Sequence, residues 1–206
     1  MNLADARSAL AARGFDYLSG ASMNLMLNFA RNDFEDYWDW PWLRETITGP
    51  VPLTISDLKF VRLVKDSDGN ELLGLEDRVA GMGSPPPMAQ PILNGSRWWY
   101  LSDHGPDNTL LDLTPFGYGG AVSVLYTKES PELATDVDVP LIPVRYHGLW
   151  IDHAVVHAYK DSDNFPAAQA LRTDIEARMR TLVERYEVRN RQHSVFMAIR
   201  ALSEDE

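Results

Sequence analysis

The chain contains no cysteine in 206 residues. Disulfides, thiolate metal sites and cysteine nucleophiles are therefore excluded, and the composition fits assembly in a reducing compartment. Long apolar runs are also missing. No segment approaches the ~20 apolar residues that span a bilayer, and the opening Met-Asn-Leu-Ala-Asp-Ala-Arg-Ser-Ala-Leu lacks the apolar core of a signal peptide. A soluble protein made in the cytosol, without a membrane partner, is expected. Positive charge is scarce, with 19 Lys and Arg against 30 Asp and Glu for a net charge of −11. That balance weighs against tight nucleic-acid binding, which relies on Lys and Arg to neutralise phosphates. The one basic exception is residues 171–200, with seven arginines against four acids.

The most informative segment runs from Asp136 to Tyr159. Pro140 and Pro143 forbid helix and force an extended course. From Leu149 to Tyr159 only Asp152, His153 and His157 are clearly polar, so a helix there is apolar around most of its circumference and must be buried on several sides. Upstream, Leu3, Ala6 and Leu10 predict a helix over 2–13 that stops at Gly14. Met23, Met26, Leu27, Ala30, Phe34, Tyr37 and Trp38 predict a second from Ser22 to Trp38, ended by Pro41. Downstream, Leu171, Ile175, Met179, Leu182 and Tyr186 recur at steps of three and four. They predict a helix over Ala167–Tyr186 with Pro166 in its first turn.

Between the helical regions, Asp57–Lys65, Glu71–Leu75, Arg97–Ser102, Thr109–Leu113 and Ala121–Thr127 read as strands separated by Gly, Pro, Asp and Asn clusters. Residues 81–91 are too rich in Pro and Gly for either regular state. The expected fold class is α+β: a discontinuous helical bundle from residues 1–45 and 141–190, an inserted small antiparallel β domain at 46–140, and a C-terminal tail at 191–206.

No catalytic constellation stands out. His153 and His157 lie four apart, but the hydrolytic zinc motif needs Glu beside the first His, and Ala154 stands there. A structural role or a subunit contact explains the pair better than a metal. The Asp66–Asn70 and Asp161–Asn164 segments lack the glycine and glutamate of a calcium loop and read as turns. No phosphate-binding loop or G-x-S-x-G elbow is present. No cofactor, no metal and no enzymatic activity are expected. The aromatics are more suggestive: Trp38, Trp40 and Trp42 cluster around Pro41, and Trp98-Trp99-Tyr100 lie on an expected strand. Core packing is the favoured reading, with a subunit interface or a sugar-stacking platform as alternatives. Val195, Phe196, Ile199 and Leu202, beside Arg189, Arg191 and Arg200, have the make-up of a segment that orders on a partner.

These features, in order, resemble the head–tail adaptor proteins (connector, or head-completion proteins) of tailed bacteriophages. The resemblance is carried by the helix containing Asn28 that leads to Trp40-Pro41-Trp42, and by the last strand and exit at Ser123–Leu133. It continues through Asp136-Val-Asp138, Ile142-Pro143 and Tyr146-His147 into the Ala/Val-rich helix, and then the charged helix Ala167–Tyr186. The loop 81–91 and the extension beyond Tyr186 depart from the family pattern.

The resemblance implies a non-enzymatic virion protein at the head–tail interface, assembled in the host cytoplasm. It implies a closed ring of roughly twelve copies under the portal protein. Such a ring extends the DNA channel for packaging and genome ejection and offers a docking platform to the tail, stopper or neck protein. It would carry a charge on the order of −130, so that DNA passes through the lumen without specific binding. Under this reading, Arg189, Arg191, Val195, Phe196, Ile199 and Leu202 are expected at the portal contact, and Trp40, Trp42 and Trp150 at junctions within or between subunits. The rival readings are a tail-located binding module using Trp98, Trp99 and Tyr100, and a metal hydrolase using His153 and His157.

Overall fold

Hydrophobic period sorts the chain into helix at both ends and strand between them in the computed structural model. It describes the backbone of residues 1–74, 98–104, 109–112 and 120–203, and the side chains of residues 1–72 and 120–188. Two units result, one joining Met1–Asp39 to Glu132–Glu206 and the other comprising Trp40–Pro131. The first is helical and the second carries the described strands, so the fold is α+β with a β unit inserted into a helical one.

The helical unit begins with α1 (Leu3–Leu10), which buries Leu3, Ala6 and Leu10. Asn2 and Asp5 cap it reciprocally, each side chain accepting from the other's backbone N–H. A wide turn over Ala11–Phe15 follows, in which Gly14 sits at φ +95°, a conformation that side-chain-bearing residues rarely adopt. Ser19 then caps α2 (Gly20–Asp36). Met23, Met26, Leu27, Ala30 and Phe34 form its buried stripe.

α3 (His147–Asp161) is apolar almost all round because α1, α2 and α4 all pack on it. Asp163, at φ 56°, turns the chain into α4 (Phe165–Ser203). Ala168, Ile175, Met179 and Leu182 fix the packed face of that helix. The helix expected over Ala167–Tyr186 therefore runs on unbroken to Ser203.

The β unit opens with a turn at Pro41–Leu43. Its strands are β1 (Arg44–Pro50), β2 (Leu53–Ile55), β3 (Leu58–Asp66), β4 (Glu71–Gly74), β5 (Trp98–His104), β6 (Thr109–Asp112) and β7 (Ala121–Lys128), in the order β1-β7-β3-β4-β5-β6-β2. All neighbours are antiparallel except β4 and β5, which pair in parallel. The two edge strands, β1 and β2, are consecutive in sequence and only Val51 and Pro52 separate them. Two residues reach ~7 Å at most, so the sheet must curl until its edges meet.

Val51, Ile55, Val61, Val64, Leu72, Val122, Val124 and Tyr126 fill the core of this curled sheet. The Tyr126 hydroxyl donates to Asp57 Oδ1 at 2.9 Å. β1 and β2 were not among the expected strands. β1 alternates Thr46, Ile47, Thr48 with a single apolar side chain, and its Gly49-Pro50 end reads as a turn. An edge position is where a strand tolerates proline.

Candidate interface surfaces

The helical unit is closed by polar contacts that cross long stretches of sequence. Buried Asn28 on α2 holds the chain as it re-enters the unit. Its Nδ2 donates to Leu133 O at 3.0 Å, and its Oδ1 accepts from Leu133 N at 2.9 Å. The segment then folds against α1, whose first free N–H groups, Leu3 and Ala4, donate to Asp138 O and Asp136 O. Arg7 pairs with Asp136. Asp138 accepts from the backbone of Ala134 and Thr135 and from the Thr135 hydroxyl, which holds its carboxyl below the usual carboxylate range. Thus fixed, the segment leaves Val137, Val139 and Val144 exposed.

On α3, Asp152 is nearly buried and takes two arginines, Arg13 from the turn after α1 and Arg178 from α4. His147 donates from Nε2 to Ile142 O at 2.8 Å, and its other ring nitrogen is buried without a partner, so the ring is held neutral and its pKa is lowered by burial. His153 packs edge-on against Phe34 with Nε2 buried and unpartnered, and burial pushes its pKa down to about 4. His157, four residues on, bonds Asp33 Oδ2 at 2.8 Å and lies against Phe29. Among the described residues, no group of three or more His, Asp or Glu is placed to hold a metal ion.

At the start of α3, Arg145 donates to the Tyr186 hydroxyl at 2.7 Å and stacks over Tyr146, while Trp38 packs on Tyr186. Tyr186 of α4 therefore lies level with the first residues of α3. Everything beyond it on α4 runs past α3.

The expected junction tryptophans are all placed. Trp150 is fully buried within the helical unit, its indole N–H donating to Leu27 O at 2.9 Å. Trp40 is fully buried in the β unit and stacks on Trp42 at 4.6 Å between ring centres. Arg189, Arg191, Val195, Phe196, Ile199 and Leu202 occupy the last turns of α4, and their side chains lie outside the described residues. So do the side chains of Trp98, Trp99 and Tyr100 on β5, and the whole loop 81–91. The Asp66–Asn70 segment is a turn closed by Asp66 Oδ1, which accepts from the backbone of Asp68 and Asn70.

One surface is new. Leu25 and Phe29, one turn apart on α2, are 54% and 46% exposed, and Asn32 and Asp36 continue the same exposed row. The signal was present in the sequence, since both apolar residues fall off the stripe formed by Met23, Met26, Leu27, Ala30 and Phe34.

No helix among the described residues is long and apolar enough to cross a membrane. The chain matches no model of a known protein family and no curated protein.

Proposed function

We propose that this protein is a structural adaptor of a tailed-phage virion, working as a ring beneath the portal. There it extends the DNA channel and presents a docking platform to the tail or stopper, without catalysing a reaction. The observation that carries the reading is α4. Its 39 residues measure roughly 58 Å at an α-helical rise, against roughly 22 Å for the 15 residues of α3. A helix that outruns its own bundle is a device for reaching another chain. The discontinuous helical unit with its β insertion also supports the reading, because the N- and C-terminal helices form one unit and the inserted strands another. The acidic balance suits a channel through which DNA slides without being held.

The test is electron microscopy of the purified protein mixed with portal rings of its own virus. The expected result is ring-shaped density added at one end of the portal. No added density, with both proteins intact and folded, would overturn the reading.

A further inference from the structure

We infer that the outer edge of β1 is a self-association surface, pairing antiparallel with β1 of a second copy of this chain about a twofold axis at Ile47. An isologous contact of this kind is satisfied by one partner and builds no ring. It therefore belongs to the free protein and stands apart from the adaptor reading.

The edge is open and unguarded. On one side β1 pairs with β7, in a register without a bulge. Among the described residues no strand pairs on its other side, and Thr46, Thr48 and Pro50 are exposed. Edge strands are commonly protected by lysine, by a bulge or by a covering segment. Here the outward positions in the middle of the strand are threonines, β-branched and uncharged.

The register fixes which backbone groups face outward. Val51 N–H donates to Gly120 O at 3.2 Å, and these two residues extend the pairing of Pro50 with Ala121 by one step. Bonded and non-bonded pairs alternate along an antiparallel ladder. Glu45, Ile47 and Gly49 therefore bond to β7, while Thr46 and Thr48 turn their N–H and C=O groups away from it. Arg44 shares their parity, but its N–H donates to Pro41 O, and Pro50 has no N–H to offer.

The strand is its own complement. With Thr46 of one copy opposite Thr48 of the other, every outward threonine N–H meets a threonine carbonyl across the junction. Arg44 and Pro50, the two positions without an available donor, then fall opposite each other, and all seven residues of β1 overlap. On the inner face, Ile47 sits at the margin of the sheet's core, only partly buried. This register sets it directly against Ile47 of the second copy, as a close non-bonded pair. Sliding one ladder step in either direction would set Ile47 against Glu45 or Gly49 instead.

The test uses the full-length protein alone. Sedimentation velocity over a range of concentrations is expected to show reversible dimers, and Thr48→Lys to weaken them at least about tenfold. Since the chain has no cysteine, single cysteines report the register. Ile47→Cys should give a covalent dimer on mild oxidation, because the Cα atoms of an opposed non-bonded pair lie about 4.5 Å apart. Glu45→Cys should not, since its two copies stand roughly 13 Å apart along the ladder. Unchanged circular dichroism would confirm folding of each variant. A wild type that stays monomeric, association indifferent to Thr48→Lys, or cross-linking at Glu45→Cys in preference to Ile47→Cys would overturn the inference. Dimers with these properties but no density on portal rings would keep this contact and reject the adaptor role. Density on the portal from a protein that never dimerises would do the reverse.

Discussion

Asn28 and Leu133, 105 residues apart, are joined by two hydrogen bonds in which one carboxamide satisfies both the N–H and the C=O of a single buried residue. Replacing Asn28 with Ala strands both backbone groups. The expected loss is about 2–3 kcal/mol of unfolding free energy, read by urea denaturation. Asn28→Asp keeps the acceptor and loses the donor, so it should recover part of that loss.

Acid should unfold the helical unit early. His153 has its pKa pushed to about 4 by burial, below the ordinary 6.5, so the unfolded chain takes up the proton first. The stability it contributes is complete above about pH 6.5 and is lost as the pH falls towards 4, for a total of about 3 kcal/mol. His147, also lowered by burial, acts in the same direction. Asp33, lowered by its bond to His157, adds a loss at more acidic pH as its carboxylate protonates. His153→Leu should move the acid midpoint, followed by tryptophan fluorescence, to lower pH. An unmoved midpoint would assign the acid sensitivity elsewhere.

Asp152 is the shared anion for Arg13 and Arg178 and is the least exposed of the three side chains. Asp152→Asn should cost about 1–2 kcal/mol, while Arg13→Ala or Arg178→Ala, each half in solvent, should cost under about 1 kcal/mol. A double-mutant cycle between Arg13 and Arg178 should show coupling through the common carboxylate.

Trp150 combines a large buried surface with a bonded indole N–H. Trp150→Phe keeps most of the volume and should cost about 1–2 kcal/mol. Trp150→Ala opens a cavity and should cost about 3–5 kcal/mol. Thermal unfolding of the two variants distinguishes packing from the hydrogen bond.

The helices were legible because their buried residues recur at helical spacing and their ends carry the expected punctuation. Gly14 and Pro41 stop the first two, and the all-round apolar character of 149–159 announced burial on several sides. β1 and β2 were illegible for a physical reason. An edge strand with one inward isoleucine, and a three-residue strand after Pro52, owe their existence to pairing partners more than 50 residues away in the chain.

The Leu25–Phe29 surface was visible only as a departure from a stripe, and its exposure depends on what the rest of the chain fails to cover. In the sequence Asn28 is legible only as one residue of the second helix. Its grip on Leu133 becomes apparent only when the two ends of the helical unit are brought together.

The insertion of one unit into another also sets a timetable for synthesis. α1 and α2 leave the ribosome early, yet the residues that cover Leu27 and bind Asn28 follow about 105 positions later. At roughly 5–20 residues per second, the interval is on the order of 5–20 seconds. The β unit, whose described strands all lie between residues 44 and 128, can close during that wait. The nascent chain thus holds a finished β module while its first two helices still display Met23, Met26 and Phe34 to solvent. In that window the protein is most open to chaperones, and most at risk of sticking to another unfinished copy.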